Sequence, residues 1–174
     1  MWDMSLEGMD LIRQRIDDHQ IACHLQHGHL HAAIKPRHMH ELESWQQDLE
    51  QDYGYQSLQM WQANDLQDKI ASKRYLGGLY DANSGHIHPL NYTLGLAQAC
   101  LQAGVDIYEN SPVTKLNSQS GKHACHTSNG QVQAKHVIYA CNAYLADLEP
   151  RLGKKIMPVG TYIGATKPLG EKLA

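Results

Sequence analysis

The chain has 174 residues, 42% of them hydrophobic and 19% charged, with a formal net charge of -3. That balance suits a globular protein with a core of useful size, and its mild acidity argues against a nucleic-acid-binding footprint. No apolar run approaches the ~20 residues needed to cross a bilayer, and no signal-peptide pattern opens the chain.

Trp2, Leu6, Met9, Ile12 and Ile16 recur at spacings of three and four, which predicts an amphipathic helix. No capping residue precedes Trp2, so the helix is expected to start as though its frame continued upstream. Ile21–Leu25 and Gly28–Ile34 read as two short strands around a tight connection, the second ended by Pro36. A second helix is expected from about His38 to Glu50, with Met39, Leu42, Trp45 and Leu49 on its apolar stripe. Gly54 closes it, glycine being suited to a left-handed cap. Ala63–Gln67 should form a helical turn capped by Asn64 or Asp65.

Gly77-Gly78 reads as a break. A strand-to-helix junction follows at Gly85–Pro89, with Pro89 in the first helical turn, where its missing N–H does no harm. Leu90, Leu94, Leu96, Ala97 and Leu101 supply the expected buried face of that helix, which ends before Gly104. Asp106–Leu116, Lys122–Ser128 and Gln131–Ala140 read as three strands of an antiparallel meander. Asn129-Gly130 is a strong hairpin signal between the last two. Val137–Ala140, continuously apolar, suggests a strand buried on both faces. One last strand is expected from Pro158 to Thr166. The fold class these elements imply is α+β.

The four cysteines, Cys23, Cys100, Cys125 and Cys141, are scattered without a Cys-x-x-Cys pair. This fits reduced thiols in a cytoplasmic protein better than a disulfide framework. Cys100, among apolar helix neighbours, reads as buried and inert.

The chain has 12 histidines and no phenylalanine. His27, His29 and His31 would project from one face of a strand and, with His24, offer imidazoles for zinc, copper or nickel. No carboxylate or cysteine is spaced to complete the set, so surface histidines are the favoured reading and no metal site is assigned. His86 and His88 could serve in proton transfer, imidazole titrating near neutrality. Hydrogen bonds from a strand end to local backbone are the plainer reading. Trp2, Trp45 and Trp61 raise the idea of an aromatic cage for an amine. Trp2 and Trp45 lie on apolar stripes and read as core; Trp61 is undecided. Cys141 has no neighbour in sequence that would lower its pKa.

Five pieces occur in an ordered set: Gly28-His29-Leu30-His31-Ala32-Ala33, Gly85-His86-Ile87-His88-Pro89-Leu90, Glu109-Asn110-Ser111-Pro112-Val113, Val137 through Leu145, and Pro158-Val159 with Ala165–Leu169. That order resembles the D-amino-acid-oxidase-like FAD-dependent amine oxidoreductases. The details are most similar to the bacterial gamma-glutamylputrescine oxidoreductase branch of that family.

The resemblance implies an α+β segment: part of an FAD-binding domain with its antiparallel meander, plus part of a mixed-sheet substrate domain. Residues 1–19 would be a helix of the FAD side, 20–83 a substrate-side segment, 84–147 the FAD-side helix and meander, and 148–174 a return to the substrate side. It implies that the Val113 backbone reads the FAD adenine, and that Ala140, Cys141 and Asn142 form a turn against the dinucleotide. The family more often has a glycine near that turn. The implied reaction moves a hydride equivalent from a small-molecule amine, gamma-glutamylputrescine-like, or an amino acid to flavin. No catalytic residue is assigned.

No Gly-x-Gly-x-x-Gly occurs in the chain, so the pyrophosphate-binding turn is expected upstream of Met1 and further contacts beyond Ala174. Tight FAD binding and turnover by these residues alone are therefore not expected. A second chain that supplies the nucleotide-binding end, a non-catalytic remnant and a histidine-rich metal-binding module stay open as alternatives. Poor solubility is expected, from apolar faces that other parts would cover.

Overall fold

The computed structural model describes residues 1–67, 69–119, 121–162 and 164. It forms two compact units, Met1–Ile107 and Tyr108–Ala174. Both mix helix with antiparallel sheet, as the α+β reading expects.

The first unit opens with α1, Trp2–Asp18, whose stripe is confirmed: Ile16 is buried and Trp2, Leu6, Met9 and Ile12 are half-buried. Beyond it the expected strand over 21–25 does not form. Gln20 and His24 adopt left-handed backbone at φ 52° and 53°, which an extended ladder cannot accommodate. Ile21 and Cys23 are instead buried against Ile16, with Tyr92 and Leu96 packed around them. The first strand, β1, is Gln26–Ala33, with an irregular register between His27 and His29 where Gly28 takes φ 93°. A β-carbon at Gly28 would run into the Tyr80 ring.

Pro36 does more than end a strand; it is the first residue of α2, Pro36–Tyr53. Gly54, at φ 63°, donates to the Glu50 carbonyl and gives α2 its expected left-handed stop. Leu58–Gln62 form β2 and Ala63–Gln67 form α3. Asp65 accepts from the Gln62 N–H at 2.7 Å, so the cap reaches back from inside the turn. Then comes β3, Gly77–His86, the centre of an antiparallel sheet ordered β1-β3-β2.

Gly77-Gly78 is therefore no break. A β-carbon at Gly77 would meet the Trp61 carbonyl and Met39, and one at Gly78 the His31 carbonyl, so glycine lets the central strand pass. Ala33, Leu42, Tyr55, Leu58 and Leu79 form the core between this sheet and α2.

The junction to α4, Pro89–Gln102, is as expected, but the face of that helix is not. Tyr92, Gly95 and Leu96 carry the packing against Ile21. Leu90, Leu94 and Leu101 are 61%, 58% and 52% exposed, and Cys100 is exposed rather than buried. Trp45 is likewise exposed, at 52%. On the α2 stripe it meets His31 of β1 edge-to-face, with ring centroids 5.7 Å apart.

The second unit carries the meander β4 (Lys115–Gln119), β5 (Lys122–His126) and β6 (Gln131–Ala134), in that order. Its connections fall at Gly121 and at Asn129-Gly130, where the Thr127 N–H donates to the Gly130 carbonyl at 2.8 Å. The strands are shorter than expected for two local reasons. Asn110 at φ 53° and Pro112, which has no N–H, hold 106–113 out of the ladder, while the Thr114 N–H still donates to the His126 carbonyl. At the other end, Ala134 pairs with His123, and β5 begins one residue earlier, so Val137–Ala140 pair with no strand among the described residues. Ile138 is 88% exposed.

A 3₁₀ helix, Asn142–Leu148, and the single turn α5, Pro150–Gly153, follow. Residues 158–162 and 164 form no strand, and the remainder of the strand expected to Thr166 lies outside the described residues. No helix among the described residues is long and apolar enough to cross a membrane.

Candidate cofactor cavity

The second unit encloses one side of a cavity of ≈ 710 Å³. Three stretches build its wall: Pro112–Thr114 leading into β4, Val137–Tyr139 after β6, and Cys141 with the 3₁₀ helix. Cys125 and Leu116, neighbours across β4 and β5, form its floor. The wall is apolar apart from Thr114, Tyr139, Tyr144, Asp147 and the two thiols. Burial pushes the Tyr139 phenol above its ordinary value, with Glu149 and the Cys125 and Cys141 thiols adding to the effect.

Two of the four residues assigned to cofactor binding, Val113 and Cys141, line this cavity. Ala140, between Tyr139 and Cys141 in the chain, is exposed. Asn142 begins the 3₁₀ helix at φ 50°, a left-handed conformation that asparagine tolerates better than most residues. Glycine would adopt the same backbone conformation without strain. Val113 lies outside every strand, and its N–H and C=O have no backbone partner among the described residues. A donor and an acceptor with no backbone partner among the described residues thus stand beside an apolar wall.

The sequence profile of the DAO family, FAD dependent oxidoreductases, matches residues 1–174. The chain belongs to that family. It is 40% identical over its whole length to a probable oxidoreductase OrdL of Haemophilus influenzae, covering 41% of that protein. Over 98% of its length it is 41% identical to the gamma-glutamylputrescine oxidoreductase of Escherichia coli, covering 40% of it. The chain thus spans about two fifths of the length of these curated relatives.

Among solved structures, glycine oxidase from Geobacillus kaustophilus superimposes with a TM-score of 0.70 at 21% identity, over 83% of this chain and 39% of that one. L-amino acid deaminase from Proteus vulgaris gives 0.72 at 16% identity, over 83% and 35%. At such identities the likeness establishes the fold.

The histidines divide between unrelated settings in the first unit. His29 and His31 meet edge-to-face with centroids 4.5 Å apart, beside Trp45. The His31 ring is held below its ordinary pKa by desolvation first and by His29 second, against a smaller opposing pull from Asp81. His27 lines a separate groove with His86, Met9 and Arg13. The bulge at Gly28 interrupts the alternation that would have aligned all three. Among the described residues no three His, Cys, Asp or Glu gather to hold a metal ion. His88 takes the plainer role: its Nδ1 accepts from the Asn91 N–H at 3.2 Å and caps α4.

A polar network that sequence reasoning missed joins α1 to β3. Tyr55 Oη donates to Asp81 at 2.9 Å, Asp81 accepts from the Asn83 N–H at 3.0 Å, and Arg13 donates to the Asn83 side chain at 3.0 Å and to its carbonyl. Its members lie up to 70 residues apart, and nothing in their spacing signals the contact.

Proposed function

We propose that this chain is part of an FAD-dependent oxidoreductase that oxidises an amine, of the gamma-glutamylated diamine class, or an amino acid. The 41% identity to gamma-glutamylputrescine oxidoreductase across nearly the whole chain carries this reading. The apolar cavity with an unpartnered Val113 backbone supports it, because such a wall accepts an adenine. FAD, when bound, supplies the acceptor for the hydride equivalent that the amine carbon loses.

In this reading Val113 offers its N–H and C=O to the adenine edge, while Cys141, Ala140 and Asn142 let the dinucleotide approach the turn closely. Valine is enough at 113 because the backbone does the recognition. The pyrophosphate needs a glycine-rich turn, which these 174 residues do not contain. We assign that turn to another portion of a longer protein or to a second chain.

A titration of FAD, read by flavin fluorescence and thermal stability together, tests the assignment. Saturable binding that Cys141→Trp abolishes and Val113→Pro weakens is expected. Where the chain alone does not bind, the same variants are compared beside a separately expressed nucleotide-binding portion. Full flavin occupancy insensitive to both substitutions would overturn the site. Bleaching of bound flavin by a gamma-glutamylated diamine, and not by free amino acids, would identify the substrate class.

A further inference from the structure

Trp61 belongs to neither the hydrophobic core nor the cofactor cavity. Alternation along β2 explains its position. Leu58 and Met60 pack toward α2, so Trp61 projects from the opposite face of the sheet. There it stacks on Tyr80, with ring centroids 4.3 Å apart and planes within 15°. Tyr80 is held in turn over Gly28, whose lack of a β-carbon makes room for the phenol ring. In the row beside the stack, Trp61 is paired across β3 with Gly78 and then Ala32, and the Leu30 side chain lies over Gly78. The result is a stacked aromatic pair on the face of the sheet away from α2. One cation already sits on it: the Lys69 ammonium lies 5.9 Å from the centre of the Trp61 ring.

We propose that the Trp61–Tyr80 stack is a seat for a primary alkylammonium group, occupied by the Lys69 ammonium until a ligand's ammonium displaces it. The physical basis is the electron-rich face of indole, the best of the aromatic side chains for cations, here made rigid by the stacked phenol. The proposal rests on the amine reading given above and deepens it by naming residues that would select a cationic over a neutral ligand. It involves no flavin, so it fails or stands apart from the cofactor site.

The test uses the full chain, nitrogen-labelled, and follows its 3 tryptophan indole N–H signals by nuclear magnetic resonance. Butylammonium chloride is the probe and butanol the neutral match. A saturable shift of the Trp61 signal with butylammonium alone is expected, with Trp2 and Trp45 unmoved. Lys69→Met, a substitution of an exposed side chain, should tighten that binding by roughly 2- to 30-fold, the range of a cation–π contact. A Trp61 signal that does not move, or that moves equally with butanol, would overturn the proposal. An affinity unchanged by Lys69→Met would refute the displacement. FAD binding measured on the same samples reports separately on the cofactor cavity.

Discussion

At Asp81 one carboxylate serves two neighbours. It accepts from Tyr55 Oη and from the Asn83 N–H, and the Asp81 backbone pairs across the sheet with His29. Tyr55 is buried, and its phenol is pushed above the ordinary value of 10.0 chiefly by desolvation. Removing its hydroxyl should leave Asp81 with the Asn83 N–H alone of these two donors. Tyr55→Phe is therefore expected to cost about 1.5–3 kcal/mol of stability, the usual worth of a hydrogen bond to a charged group. Urea denaturation of the two proteins measures this.

His31 gives a pH dependence of definite sign. Its native pKa lies below the ordinary 6.5, so the unfolded chain takes up a proton first as the pH falls. The stability it contributes is present above 6.5 and is lost as the pH falls from there through the native value. His31→Gln should flatten that part of the stability profile. The ring is exposed, so the effect is modest, and denaturation midpoints on either side of the imidazole range would show it.

At the scale of elements, α4 depends on its first turn. Pro89 presets the backbone and His88 satisfies the Asn91 N–H, an arrangement that requires an unprotonated Nδ1. His88→Ala should cost about 1 kcal/mol, and His88→Asn should restore most of it, since a side-chain oxygen caps equally well. Thermal melts of the pair distinguish capping from a catalytic role for this histidine. The elements that were legible in sequence, α1, α2, α4 and the hairpin at Asn129-Gly130, have periodicity or turn chemistry of their own. Those that were misread depend on neighbours. Residues 21–25 and Val137–Ala140 have strand-like composition, but a strand exists only where another offers it a ladder. Gly77-Gly78 looks like punctuation until Met39 and the β1 and β2 backbones are seen pressing on it.

Over the whole molecule, exposed apolar side chains are the dominant liability. Leu90, Leu94 and Leu101 stand on one helix, and Met157, Val159 and Tyr162 follow α5 with exposures of 69% or more. Such surface favours association. Leu90→Lys with Leu94→Gln should shift the chain toward monomer in sedimentation, with little loss of stability because neither side chain is buried. A monomeric parent chain would contradict this expectation.

Family membership and the α+β class were both readable from ordered motifs, helix periodicity and turn residues, because those are local properties of the chain. The four candidate cofactor residues, Val113 in one stretch and Ala140, Cys141 and Asn142 in another, came from the family resemblance. What only the tertiary structure decided is which of them face a common space, since Val113 and Cys141 meet across a cavity that β4, β5 and the 3₁₀ helix close. The fates of Trp45 and Trp61 were decided in the same way. Helical or alternating spacing says which side chains share a face, but burial depends on whether another element lies against that face, and this is set by contacts distant in sequence.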